Sequence, residues 1–442
     1  MSLPRYPQYK DSGVAWAVQL PAHWGTASLK WLSQRYSGGT PDKNRLEFWE
    51  DGTIPWLNSG AVNDGRIYEA SAYITQEAFE NSSAKWIPPG ALLIALAGQG
   101  KTKGMVAQLM FESTCNQSMA AIVPTEKIDA RCLYWWLISN YQNIRNMAGG
   151  DLRDGLNLDL LGAIPCPLPT LKEQTAIATF LDRETGKIDA LIAEQEKLLA
   201  LLAEKRQATI SHAVTKGLNP DAPMKDSGVA WLGEVPEHWT TCPLASRYSV
   251  QLGKMLDASK NTGEHLRPYL RVFDVQWGDI NIDDLPMMDF DEDARIKFRL
   301  MPGDILVNEG GSYPGRSAIW TGNLDECYYQ KALHRIRPLN PERDLSGFFY
   351  YVMSWAANQG VFMAGGNETT IEHLPAEKLR RYRFAYPPFQ EQADIASFLD
   401  NETTKLDALK TESERAITLL KERRSALIAA AVTGQIDVRE SA

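Results

Sequence analysis

The stretch with the most enzyme-like spacing is Ala95-Leu96-Ala97-Gly98-Gln99-Gly100-Lys101-Thr102, an apolar run that closes on Gly-Lys-Thr. A phosphate-binding loop ends this way, because its backbone N–H groups and lysine must meet the phosphates where a helix begins. Here Ala95 stands where the first glycine belongs, and Gly104 weakens the helix that should follow Thr102. No apolar strand ends in an aspartate suited to Mg²⁺. Nucleotide hydrolysis at Ala95–Thr102 is therefore the alternative, and a polar loop that touches a ligand is the better reading.

Other catalytic patterns fail on their own residues. Tyr386-Pro387-Pro388-Phe389 has the Pro-Pro-aromatic core of a loop that holds an extruded adenine, but Tyr386 stands where an Asn or Asp must accept from the amino group. Its counterpart is Cys166-Pro167-Leu168-Pro169, and the chain has no Gly-rich sequence for an S-adenosylmethionine pocket. The prolines read as a lead-in to a helix. No Asp or Glu two residues before a Lys accompanies Pro41-Asp42, and no Ser-His-Asp triad or metal-ligand set is recognisable. His23 and His238, each in a Pro-x-His-Trp frame, have no base or second ligand nearby in sequence and read as structural.

What remains suits the edges of nucleic-acid bases. Asn and Gln can bond adenine at two points, and Arg or Lys can do the same with guanine. The candidates are Asn58, Gln99, Lys101, Lys103 and Arg153 in the first half, and Arg271, Tyr313, Arg316, Lys331 and Asn367 in the second. They fall in polar loops at matching places of the two halves.

Those halves are set by a repeat. Pro167 to Gly217 returns as Pro387 to Gln435, and subtracting 173 from 391 gives an offset of 218 that also relates Asp182 to Asp400, Asp189 to Asp407 and Arg206 to Arg424. Apolar residues at Ile177, Leu181, Ile188, Leu191, Leu198 and Leu202 recur at the three, four and seven spacing of a helix packed on a partner helix. Each copy is expected to be one long helix. Lys10 to Trp24 returns as Lys225 to Trp239, and Pro55-Trp56-Leu57 matches Pro268-Tyr269-Leu270 at an offset of 213. Two prolines between Asn219 and Pro223 mark a linker.

The expected organisation is a globular domain at 1–168, a helix at 169–217, a linker at 218–224, a second globular domain at 225–386, a helix at 387–435 and a tail at 436–442. The domains read as α+β of mixed structure, with an antiparallel coiled coil and an internal pseudo-twofold repeat. Ala91 to Ala97 and Asp304 to Asn308 read as buried strands, and Leu133 to Met147 and Ser346 to Met363 as helices whose aromatics fill the core.

The 442 residues carry 44% hydrophobic and 23% charged side chains, as ordinary soluble proteins do. Five scattered cysteines without a CxxC pair suggest a reducing cytoplasm rather than a disulfide framework. A net charge of −9 argues against a free-standing nucleic-acid binder, since neutralising phosphates supplies most of such affinity. Either the positive charge is local or partners supply it.

Taken together, KDSGVAW and PxHW at both domain starts, Gly38 to Leu57, and the EQ(A/T)xIAxFLD helix starts at Glu173 and Glu391 resemble the specificity subunits of type I restriction-modification systems. The resemblance spans nearly the whole chain. It implies a non-catalytic subunit whose two target-recognition domains each read half of a split, asymmetric duplex DNA sequence. It implies that the helices space those domains and dock two adenine-N6 methyltransferase subunits, which restriction subunits join. S-adenosylmethionine, ATP and Mg²⁺ would then belong to the partners, whose DNA contacts would answer the charge objection. The second domain departs from the pattern, with Gly253-Lys254 and Pro268-Tyr269 where the first has GGTP and IPW. A scaffold that binds proteins but not DNA is the other alternative.

Overall fold

The computed structural model describes residues 4–98, 100–148, 155–255, 263–311, 313–363 and 373–440. The chain forms two compact units, one of residues 1–196 with 414–442 and the other of residues 197–413.

In the first unit a five-stranded sheet has the order Ser33–Ser37, Met119–Pro124, Leu92–Ala95, Val106–Leu109, Arg66–Ile67. Alternation along the buried strand Leu92–Ala95 sends Leu92 and Ile94 into one core and Leu93 and Ala95 into another, as the two-residue strand period requires. A smaller sheet orders Thr114–Cys115, Ile54–Leu57 and Ala72–Ile74, with the first pair parallel. The second unit repeats both arrangements. Its larger sheet runs Tyr248–Leu252, Leu333–Pro338, Ile305–Asn308, Ser317–Ile319, and its smaller one Met287–Asp289, Leu266–Leu270, Tyr328–Tyr329, again with one parallel pair. Gly38 and Gly253 hold equivalent close approaches: a Cβ there would strike the carbonyl of Cys115 or of Gln330.

The aromatic segments are core helices. The first is split into Ala130–Ser139, capped by Asp129, and Tyr141–Asn146, because Asn140 leaves the helical path and turns its own amide back to the Trp136 carbonyl at 3.0 Å. The second is Ser346–Asn358, ended by a turn whose Gly360 has a φ of +70°. Trp135, Trp136, Phe348 and Phe349 are all buried.

The long helices are Leu171–Lys216 and Phe389–Val432, of 46 and 44 residues. At ~1.5 Å per residue each is about 65 to 70 Å long. The prolines lead from a strand into each helix: Pro165–Leu168, paired with Gly25–Ser28, gives way to Pro169, and Arg383–Tyr386, paired with Thr240–Pro243, gives way to Pro387-Pro388. In the first unit Ile177 and Leu181 share a core with Ile428 and Val432, and Arg424 grips Asp189 at 2.8 Å. In the second, Ile210 and Val214 share a core with Ile395 and Leu399, and Arg206 meets Asp407 at 2.7 Å. Within each unit, then, rising numbers on one helix meet falling numbers on the other, which is antiparallel packing. The seam differs from the expected stripe at two places. Leu191 and Leu198 face solvent, while Thr185, only 3% exposed, takes a buried place and returns its hydroxyl to the Leu181 carbonyl at 2.6 Å.

Each long helix starts on the same lock. Glu173 Oε1 lies 2.8 Å from His23 Nε2 and accepts from Trp24 Nε1 at 3.3 Å; Glu391 pairs with His238 at 2.7 Å and accepts from Trp239 at 3.1 Å. The two histidines are structural, through a carboxylate about 150 residues away. The next residue anchors backbone. Gln174 donates to Lys127 and Pro169 carbonyls and accepts from Asp129 N, and Gln392 does the same with Arg343, Pro387 and Leu345 N. Each helix also ends against such a lock: a Cβ at Gly434 would strike Pro21 and approach Trp24, and one at Gly217 would press on the Glu391 carboxylate beside Trp239.

No helix is long and apolar enough to cross a membrane among the described residues. Burial holds the Cys115, Cys166 and Cys327 thiols up at about 12, so they stay protonated at neutral pH.

Candidate nucleic-acid interface

Equivalent hairpins carry the polar loops of both units. Leu92–Ala95 pairs antiparallel with Val106–Leu109, and Ile305–Asn308 with Ser317–Ile319. The Gly-Lys-Thr run is therefore a hairpin tip and not the start of a helix. Without helical N–H groups aimed at one point, the phosphate-loop alternative loses its physical basis.

In the first unit Lys101 is exposed at this tip. The loop is held from below, as the Tyr141 hydroxyl donates to the Lys101 carbonyl and Arg145 Nη1 to the Gly100 carbonyl at 2.8 Å. Lys103 is 6% exposed, so its ammonium is covered rather than displayed. The turns of the tip cover it although Lys101, two residues earlier, is exposed, and the charge of the stretch does not reveal this. Asn58 follows the strand Ile54–Leu57 and caps the 3-10 helix Ser59–Asp64, its Oδ1 accepting from Gly60 N at 2.8 Å. Beside it lies a cavity of about 580 Å³ walled by Arg66, Tyr68 and Ser71. Gln99 and Arg153 lie outside the described residues.

In the second unit Tyr313 is exposed and the Arg316 guanidinium lies 4.3 Å over its ring, with Nη1 donating to Gln276 Oε1 at 2.9 Å. Arg271 follows the strand Leu266–Leu270 and is bound by Asp274. Asn308 ties the hairpin base to this segment through the Val272 carbonyl at 3.4 Å. The structure thus brings Arg271, Tyr313 and Arg316 to one end of the unit. Lys331 is exposed on the turn before the strand Leu333–Pro338, its backbone N donating to the Lys254 carbonyl at 2.8 Å. Asn367 lies outside the described residues.

Tyr141, Arg145, Asp274 and Gln276 are the supporting residues that sequence reasoning missed. A signal existed only for Asp274, three residues beyond an Arg that follows a strand. Among the described residues no group of three or more His, Cys, Asp or Glu is placed to hold a metal ion.

Comparison with known proteins decides the family. The model of the type I restriction modification DNA specificity domain matches residues 21–200 and 291–419, which is most of the chain. The chain belongs to that family. Among its members, the EcoR124I/EcoR124II specificity subunit of Escherichia coli is 30% identical over 187 residues, 41% of this chain and 45% of that subunit. The StySPI specificity subunit of Salmonella potsdam is 23% identical over 95% of this chain and 90% of its own length. In structure, the chain resembles the HsdS subunit from Thermoanaerobacter tengcongensis with a TM-score of 0.56 at 17% identity, over 94% of this chain and 98% of that one. A chain solved in work on complex assembly and conformational transition of the type I R-M system gives 0.66 at 18% identity, over 94% and 99%. Two specificity domains joined by long helices are the fold of this chain.

Proposed function

We propose that each unit of this DNA-specificity protein reads one half of a split, asymmetric duplex target, and that the chain itself catalyses nothing. One observation carries this. The two hairpins and the two post-strand positions coincide in topology, yet hold different side chains: Gly-Gln-Gly-Lys against Gly-Gly-Ser-Tyr, and Asn58 against Arg271. One frame with two sets of base-reading chemistry suits two different half-sites.

The long helices fit a spacer that also docks two methyltransferase subunits. Support comes from apolar residues left outside the seam in both copies. Leu191 and Leu409, related by 218, are each 53% exposed, and Leu201 and Leu419 are 51% and 55% exposed. Equivalent bare leucines on both helices suit two copies of one partner. Restriction subunits would join that core, in the cytoplasm, with S-adenosylmethionine, ATP and Mg²⁺ held by the partners.

Exchanging residues 219–386 for those of a relative, then mapping methylated adenines in cells that also express the methyltransferase, tests the reading. The expected result is an interrupted motif in which one half changes and the other stays. A continuous palindrome would overturn it, and methylation indifferent to the exchange would favour the scaffold alternative.

A further inference from the structure

Arg271 stands where the strand Leu266–Leu270 gives way to the short 3-10 turn Val272–Asp274. Its Nε donates to Asp274 Oδ2 at 2.9 Å and its Nη2 to Asp274 Oδ1 at 2.9 Å, so the carboxylate holds the fork along one edge at two points. Asp274 is itself fixed. Its side chain is 1% exposed, and Oδ2 also accepts from the Arg271 backbone N at 2.7 Å. The guanidinium lies 4.0 Å over the ring of Phe273, which is 62% exposed. A large aromatic left in solvent does no work for the core, but it does form a shelf under the guanidinium.

A guanidinium gripped along its Nε–Nη2 edge and supported on one face turns its Nη1–Nη2 edge away from the carboxylate. That edge is the one that can bond the O6 and N7 of guanine in the major groove. Beyond this, Asp274 closes the 3-10 turn by accepting from the Arg271 backbone N. The pair links residues three apart, so it bridges no separate elements, and a partly exposed pair of this kind stabilises a fold only weakly. Its effect is to set a direction. The same turn supplies Gln276, which donates to the Phe273 carbonyl at 2.7 Å and accepts from Arg316 at 2.9 Å, so a second guanidinium is oriented beside the first segment.

The first unit sharpens the comparison. Leu57 matches Leu270, so Asn58 occupies the place of Arg271, and both residues follow the equivalent strand and precede a 3-10 turn. An amide there suits adenine and a fork suits guanine.

We propose that Arg271 reads a guanine in the half of the target recognised by the second unit, with Asp274 as the positioning residue that aims it. This rests on the reading of the chain as a split-target reader.

The test uses the full chain with its methyltransferase partner. Methylated motifs are mapped in cells carrying the wild type, Arg271→Lys, Arg271→Ala or Asp274→Asn, and binding of the assembled complex to the target is measured against salt. Arg271→Lys keeps the charge beside the buried Asp274 carboxylate and removes the fork, so the fold keeps a partner for that carboxylate. The expected result is loss of about tenfold to hundredfold discrimination for guanine at one position of one half-site in both Arg271 variants, the other half-site being unchanged. Asp274→Asn should loosen the same position. The assignment is overturned by an unchanged motif in Arg271→Ala, by a wild-type second half-site without guanine, or by changes in both half-sites. It is equally overturned if binding falls alike on all sequences and the salt slope drops by about one, which marks a phosphate contact. A wild type that yields no interrupted motif overturns the split-target reading and this assignment with it.

Discussion

Replacing Glu173 by alanine should loosen the start of the first long helix more than Glu391→Ala loosens the second. Glu173 serves four donors: His23 Nε2 at 2.8 Å, Trp24 Nε1 at 3.3 Å, and the Thr170 hydroxyl and backbone N at 2.8 and 3.1 Å. His23 is half exposed and can return to water at little cost. Trp24 is fully buried, so its indole N–H would be stranded, at about 1–3 kcal/mol. Losing the cap at Thr170 adds about 1 kcal/mol, giving roughly 2–4 kcal/mol in all. At Glu391 the buried Trp239 contributes the same cost, but proline stands at 388 where Thr170 stands in the first copy, so that cap is missing and the loss is about 1–3 kcal/mol.

Amide hydrogen exchange resolves the two sites separately, which fluorescence of a chain with 13 tryptophans cannot. Exchange at residues 174–181 should accelerate in Glu173→Ala by a factor corresponding to the local loss, with residues 392–399 unchanged, and the reverse should hold for Glu391→Ala. Glu173→Gln keeps an acceptor for Trp24 and should recover part of the protection. If Glu173→Ala left protection within about 0.5 kcal/mol of wild type, the helix would not be held by this lock.

The same carboxyl gives a pH dependence. Burial pushes the Glu173 pKa up, but hydrogen bonds from His23, Thr170 and Trp24 outweigh it and hold the value below the ordinary one. A depressed value means that this stabilisation is present above the unfolded-state pKa and disappears as pH falls through the folded one, so the protection of amides 174–181, measured against their intrinsic exchange rates at each pH, should fall on acidification below about pH 4.5. Truncation after Gly434 should lower the unfolding temperature of the first unit, because Val438 is fully buried and Asp437 N donates to the Pro4 carbonyl at 2.8 Å; losing that valine alone removes about 1.5–3 kcal/mol, and a melting curve identical to wild type would contradict the packing. Changing Leu191 and Leu409 together to glutamate should leave the melting curve of the chain within a few degrees while abolishing co-purification of the methyltransferase; retained co-purification would move the docking surface elsewhere. Inserting four residues into both long helices, about 6 Å of rise, should widen the unread gap by roughly two base pairs in methylation maps, and a constant gap would end the spacer idea.

Much of the frame was legible because it is written twice. A stripe that returns at an offset of 218 without a gap specifies two equivalent helices by spacing alone, and strongly apolar runs such as Ala91 to Ala97 specify buried strands. Contacts between distant residues were not legible. Nothing near His23 in sequence announces Glu173, and the reason for the Glu-Gln pair at each helix start appears only when it meets Trp24 and the carbonyls of Lys127 and Pro169. Orientation was the other gap. Leu191 and Leu198 fit a helical stripe by spacing, yet a seam that advances by three and four passes beside them, and only packing distinguishes an inner leucine from one slightly further round the helix. Lys103 looked like its neighbour Lys101, but two residues along a hairpin tip were enough to cover it.

The residues that repeat and those that do not divide along a physical line. The Glu–His–Trp locks, the buried glutamines, the Arg–Asp pairs across the helices and the glycines at the helix ends recur with matching partners in both units. Each joins segments far apart in sequence, so a change on one side must be answered on the other. Side chains at the hairpin tips and after the strands Ile54–Leu57 and Leu266–Leu270 are held within their own loops, Asn58 by Gly60 N and Arg271 by Asp274, and not by the helices. Chemistry can therefore change at Asn58 or Arg271 without disturbing the helices. Such a division lets a single duplicated frame present two unlike surfaces. It also explains why the same place could hold an amide in one unit and, in the other, a fork aimed by its own carboxylate.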